Sequence, residues 1–169
     1  FPSFLFVIGN AMSFSLRKYE SISESVFLKK VFKRAALIFL IGLFLSAFPF
    51  VFRQEGELVL KNLANMRIMG VLQRIALCYL FASLILHYLK LKKSIIFGSL
   101  ILLGYWAVMW FFGDQPNPLS LEHNAALKFD RLIFNDANLY KGYGLPFDPE
   151  GLLSTLPAIV NVIAGYVAG

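Results

Sequence analysis

The sequence predicts an all-α, polytopic transmembrane helix bundle, with about five spans in this stretch of chain. Three observations predict it. Hydrophobic residues make up 58% of the 169 residues and mean hydropathy is +0.67, beyond the ordinary soluble range. Charged residues are only 15%, too few to cover a soluble surface. The apolar residues, 18 Phe among them, gather in long uncharged runs, with no strand-like alternation long enough to matter.

The first run, Phe1 to Leu16, carries no charge and reads as the tail of a span whose start lies upstream. Ser21 with Glu24 fits a capping box that opens a short helix from about Ile22 to Arg34. Its apolar side holds Val26, Phe27 and Val31, and its other side holds Lys29, Lys30, Lys33 and Arg34. Such a helix can lie in the headgroup plane, where lipid phosphate is the ordinary partner and a ligand phosphate the alternative. A second span is expected over 35–52, with Pro49 near its end.

After a polar connection over 53–67, Asn65 to Tyr79 reads NMRIMGVLQRIALCY and launches the span 68–89. This stretch carries Gln73 and Arg74 inside an apolar run, and a guanidinium at that depth needs a protein interior, a wet cavity or a counter-ion. Arg67 lies seven residues earlier, so a helix beginning that early puts both arginines on one side. Gly70 between them lets another backbone come close. His87 reads as an interfacial residue, and Lys90, Lys92 and Lys93 form a basic turn before the span 94–113. Tyr105, Trp106 and Trp110 are placed for an interfacial belt.

Residues 114–151 form the one long polar loop, with an amphipathic island, Ala125 to Phe134, that argues for order. Asp148 then suits a helix cap and Pro149 a first helical position before the last span, 152–169, where Pro157 predicts a kink.

Five spans make the loops alternate sides. Loops 17–34 and 90–93 carry nine Lys/Arg against two acids, whereas 53–67 and 114–151 carry six Lys/Arg against eight acids. The positive-inside rule makes the first pair cytoplasmic and the second pair outer. Arg67, Arg74, Asp148 and Glu150 then share the outer side, where scarce polar residues mark a site or an ion-pair network. The net charge of +6 sits at span ends rather than on one soluble face, which argues against nucleic-acid binding. A single cysteine, Cys78, excludes an intrachain disulfide, and two distant histidines offer no metal spacing, so no metal is expected.

Four segments, in order, carry a family resemblance. Arg67-Ile68-Met69-Gly70-Val71-Leu72-Gln73-Arg74 resembles the RIxGVLQR segment of the heparan-alpha-glucosaminide N-acetyltransferase family. Asp130-Arg131-Leu132 followed by Leu139-Tyr140 resembles its DRL…LY loop, and Asp148 to Thr155 its DPEG(I/L)L(S/G)T segment. Phe1 to Gly9 is similar to its FPxFxFIxG span. The resemblance covers nearly the whole chain and makes residues 1–169 part of a transmembrane acyltransferase domain of a bacterial-type member.

The resemblance implies transfer of acetyl from cytosolic acetyl-CoA, as donor substrate, to an amino sugar or glycan on the other side of a bacterial inner membrane. Arg67, Gln73, Arg74, Asp130, Arg131, Asp148 and Glu150 are then expected at the acceptor-side pocket. Lys29, Lys30, Lys33 and Arg34 are the candidates for the CoA phosphates. The family's catalytic histidine is expected upstream of Phe1, and His123 matches no motif of the family. The lipid bilayer is a further partner, and a homo-oligomer is among the expected assemblies. Two other classes compete: a transporter or channel segment in which Arg74 and Glu150 line a solute path, and a structural subunit in which Arg74 is merely ion-paired.

Overall fold

Five helices and one small hairpin make up the computed structural model, which describes residues 2–17, 23–54, 57–142, 144 and 146–169. The helices are α1 (Pro2–Arg17), α2 (Glu24–Ala47), α3 (Val71–Phe112), α4 (Ala125–Ile133) and α5 (Leu152–Ala168). The hairpin pairs β1 (Val51–Gln54) antiparallel with β2 (Glu57–Leu60), with Val51 opposite Leu60 and Arg53 opposite Leu58. The chain is therefore mostly helical, but the end of the expected 35–52 span and the start of the 53–67 connection form two strands that nothing in the sequence pattern announces. Four residues are too few to display an alternation.

The amphipathic helix expected over 22–34 and the span expected from 35 are one continuous helix, α2. Nothing between Arg34 and Ala35 breaks it, since Lys, Arg, Ala and Leu are all good helix formers. The helix begins at Glu24 behind Ser23; the Ser21 half of the expected capping box lies outside the described residues. It stops at Ala47 rather than at 52, because Phe48 precedes Pro49 and the residue before a proline is driven out of the helical region.

α3 is a helical pair rather than a rod. Lys90 sits at φ 57°, ψ 169°, a backbone region that is essentially glycine's, and the chain turns back there. The Ser94 hydroxyl lies 2.7 Å from the Lys90 carbonyl and 3.2 Å from that of Ile85, a contact across nine residues that a straight helix forbids. The two arms match the segments expected on either side of the 90–93 turn. Among the described residues, α3 is the one helix long and apolar enough to cross a membrane; α1 and α5 are apolar but shorter.

The arms run alternately up and down. Pro2 and Glu150 line one cavity at one end, and Leu16, His87 and Tyr166 line another at the other. α1 and α5 cross at glycines: a Cβ on Gly9 would strike the Val162 carbonyl, and one on Gly165 the Phe6 carbonyl. Small residues at such a crossing let backbones touch where lipid offers no hydrophobic drive. The core between helices is Leu5, Met12, Phe27, Val31, Cys78, Ala82 and Val162, all buried. The opposite faces of α2 and α3 stay apolar too, with Leu40, Ile41, Phe44, Ile96, Leu100 and Leu103 exposed. A helix that is apolar all round belongs in a large core or a membrane.

Candidate functional site

Three of the four segments singled out by motif, 67–74, 130–140 and 148–155, meet at one end of the bundle. α3 begins at Val71, later than expected, so Arg67 stands on an extended lead-in before the helix. From there its guanidinium forks onto Asp148: Nε donates to Oδ2 at 2.9 Å and Nη2 to Oδ1 at 2.6 Å. Nη2 also donates to Glu150 Oε2. The Asp148 side chain is 0% exposed and that of Arg67 29%, so this pair is largely out of water. Burial alone works against the charge on Arg67, but the hydrogen bonds and charges of Asp148 and Glu150 outweigh it and raise its pKa. The Tyr140 ring covers the guanidinium face, 4.7 Å from ring centroid to Cζ.

Arg74, which the sequence groups with Asp148 and Glu150, does not repeat the Arg67 fork. Instead it reaches the backbone of the same turn. Nη1 donates to the Pro149 carbonyl at 2.8 Å and Nη2 to the Ser154 carbonyl at 2.6 Å. The reason is register: Arg67, on the extended lead-in, lays its fork against the carboxylates, whereas Arg74 is held on the first turns of α3, opposite the start of α5. Glu150 and Asp148 still act on Arg74 through their charge. Arg67 thus meets the carboxylates of the turn and Arg74 its carbonyls, and such partners are a condition for holding charge away from water.

Asp130 has a different task from the one its position in the loop suggests. It is buried on α4, and its Oδ1 accepts from the Leu152 amide at 2.9 Å, so it caps α5 from another helix. The expected cap, Asp148, instead accepts from the Glu150 amide at 3.0 Å within the turn. Gly151 is needed here because a Cβ would collide with the Asp130 carboxylate. Burial pushes the Asp130 carboxyl up to about 6, against the pull of the Leu152 and Leu153 amides; Asp148 adds to the rise and Arg74 opposes it.

Two of the expected site residues lie elsewhere. Arg131 pairs with Asp136 at 2.9 Å on the surface, because one residue's advance along α4 turns it away from Asp130. Gln73 points towards α2, packed against Gly42, and lines a separate groove of about 270 Å³ with Arg67 and Ser46. Conversely, Asn138, Tyr140 and Asn161 were not foreseen as site residues. Asn138 Nδ2 donates to the carbonyls of Ala64 and Met66, both at 2.8 Å, and so holds the Arg67 lead-in. Asn161 lines a cavity of about 300 Å³ with Arg74, Glu150, Pro149 and Pro2. An asparagine inside an otherwise apolar run was the available signal for it. Tyr105, placed by the sequence in an interfacial belt, lies within Coulombic reach of Arg74.

The other end of the bundle is built differently. A larger cavity, about 620 Å³, is lined by Leu16, Phe27, Leu86, His87, Lys90 and Tyr166. His87 stacks on Phe27 with ring centroids 4.1 Å apart. Lys29, Lys30, Lys33 and Arg34 lie exposed on α2 beyond it. No group of three or more His, Cys, Asp or Glu suited to a metal occurs among the described residues.

No curated protein matches the chain. The family model for the heparan-alpha-glucosaminide N-acetyltransferase catalytic domain matches residues 1–130, from the start of α1 to the carboxylate that caps α5. The family is one of acetyltransferases by its description, and the matched residues include the Arg67–Arg74 segment around which the buried charges gather. By that match the chain belongs to the heparan-alpha-glucosaminide N-acetyltransferase catalytic family.

Proposed function

We propose that the chain is the membrane-embedded part of an acyltransferase that moves acetyl from cytosolic acetyl-CoA to an amino sugar or glycan on the far side, in a bacterial inner membrane. The observation that carries this reading is the sorting of polar groups. Charge-balanced, largely buried residues gather at one end, around Arg67, Arg74, Asp148 and Glu150, and exposed cations gather at the other. With the α2, α3, α1 and α5 arms as five spans, the 53–67 and 114–151 connections lie outside and the basic 17–34 and 90–93 segments inside.

In this reading the cavity beside Arg74, Glu150 and Asn161 takes the acceptor sugar. Its volume of about 300 Å³ is at the small end for ligand sites and suits one ring. Glu150 already accepts from Arg67, so its part is to hold the amine rather than to take its proton. Transfer forms a C–N bond at the acetyl carbonyl and breaks the C–S bond of the thioester, and CoA leaves as a thiolate that takes up a proton. The amine proton goes to a base, the role the resemblance gives to a histidine upstream of Phe1. At the inner end, Lys29, Lys30, Lys33 and Arg34 meet the phosphates of CoA.

The test uses the full-length protein in vesicles, with labelled acetyl-CoA outside the inner face and glucosamine as acceptor. Transfer that falls at least tenfold in Glu150→Gln, with acetyl-CoA binding kept, supports the reading. Passage of glucosamine across the membrane without acetylation would replace it with the transporter reading.

A further inference from the structure

We propose that α4 is a membrane-seated helix whose apolar edge rests in the outer leaflet and shares a lipid acyl chain with the end of α3. The inference rests on the membrane reading above and goes beyond it, because that reading leaves the amphipathic island unused. α4 buries Ala125, Ala126, Leu127 and Asp130 against the bundle, yet Leu132 is 86% exposed and Ile133 52%, with Phe129 beside them. These three residues, at i, i+3 and i+4, form one continuous apolar edge on the helix.

Two contacts fix the depth of that edge. Lys128 Nζ donates to the Phe112 carbonyl at 3.1 Å and pairs with Asp114 at 2.5 Å, which ties α4 to the last turn of α3. Trp106 and Trp110 stack on each other within the two turns before Phe112, the level of an aromatic belt. The exposed edge of α4 therefore continues the exposed Phe111 and Phe112 at the boundary of headgroups and hydrocarbon. Between α4 and α3 runs an apolar groove of about 500 Å³, with Val108, Phe112, Phe129, Leu132 and Leu153 in its walls. The two cations on this side of α4, Lys128 and Arg131, already hold Asp114 and Asp136. The attraction is thus apolar, to a chain rather than to a phosphate.

The experiment places a nitroxide on the full-length protein, in phosphatidylethanolamine–phosphatidylglycerol vesicles, through Leu132→Cys or, as a second variant, Ile133→Cys. Leu103→Cys on α3 and Asn117→Cys in the outer loop serve as references, and Cys78 is buried and stays unlabelled. Collision with oxygen, which dissolves in lipid, is compared with collision by a water-soluble nickel chelate. At 132 and 133 the oxygen preference should exceed that at position 117 by about tenfold and fall below that at the deeper position 103. Chelate access like that at 117 would put the edge in water, and shielding from both reagents would put protein over it; either overturns the proposal. Loss of the oxygen preference at 103 would overturn the membrane reading as well, so the two failures are distinguishable.

Discussion

At the Arg67 end of the molecule every charged group of the motif segments is drawn inward and shared, except Arg131 and its surface partner Asp136. Asp148, fully buried, holds Arg67 bidentately, Glu150 joins the same nitrogen, Arg74 takes the carbonyls of Pro149 and Ser154, and Asp130 caps α5. At the Lys90 end the cations Lys29, Lys33, Lys92 and Lys93 all lie exposed. The contrast teaches what each end needs. Buried charges cannot be lost singly, because the survivor is stranded, so the first end is a fixed scaffold. Exposed lysines contribute little to stability and remain available to anions.

If that contrast holds, the largest effect comes from breaking the buried end. Arg67→Ala leaves the Asp148 carboxylate without its fork and should cost about 3 kcal/mol or more of stability in detergent. Arg67→Lys should recover only part of it, since an ammonium cannot copy the fork. A thermal midpoint unchanged in Arg67→Ala would make the two ends alike.

Asp130 sharpens the comparison through pH. Its carboxyl titrates near 6 in the fold against an ordinary 3.8, so between these values the folded state keeps a proton that the unfolded chain has released. The stabilisation from this group is full below about pH 4 and is lost as pH rises through 6. Asp130→Asn should flatten that part of the profile, read as the difference in midpoints between variant and parent from pH 4.5 to 7.5.

At the Lys90 end the expected effects are smaller and opposite in sign. Lys90 occupies a backbone region suited to glycine, so Lys90→Gly should gain about 1 kcal/mol by relieving strain. Replacing the exposed Lys29 and Lys33 together with Gln should move stability by less than about 0.5 kcal/mol. The same change should weaken acetyl-CoA binding, and more so at low salt, where exposed charges are least screened. Calorimetric titration across ionic strengths checks it.

Hydrophobic runs, basic clusters and the Asn65–Tyr79 stretch made most of the helices legible from sequence. The helical segments expected over 68–89 and 94–113 appear as the two arms of α3, because Lys90, Lys92 and Lys93 interrupt an otherwise apolar stretch. The β1–β2 hairpin and the fusion of 22–34 with the following span were not legible. The first is too short to show a period, and the second turned on the absence of a breaker at Arg34. In the candidate site the membership of Arg67, Arg74, Asp148 and Glu150 was visible as scarce charge on one side. Their pairing was not, because Arg67 and Arg74 are chemically equal in the sequence. Only the late start of α3 at Val71, which frees Arg67 from the helix, decides which one meets the carboxylates. The cap on α5 was misread for a related reason: Asp148 has the right spacing to serve, but Asp130 arrives from a distant helix and Asp148 is already taken.

Arg67 holds the acidic turn by a direct ion pair, while Arg74 holds its backbone. Double-mutant cycles in the full-length protein test it most directly, with stability in detergent as the readout. One cycle combines Arg67→Met with Asp148→Asn, and the other combines Arg74→Met with Glu150→Gln. Coupling of about 2 kcal/mol or more in the first cycle, with no more than about 0.5 kcal/mol in the second, is the result this arrangement predicts. The reverse order, or two additive cycles, would contradict it.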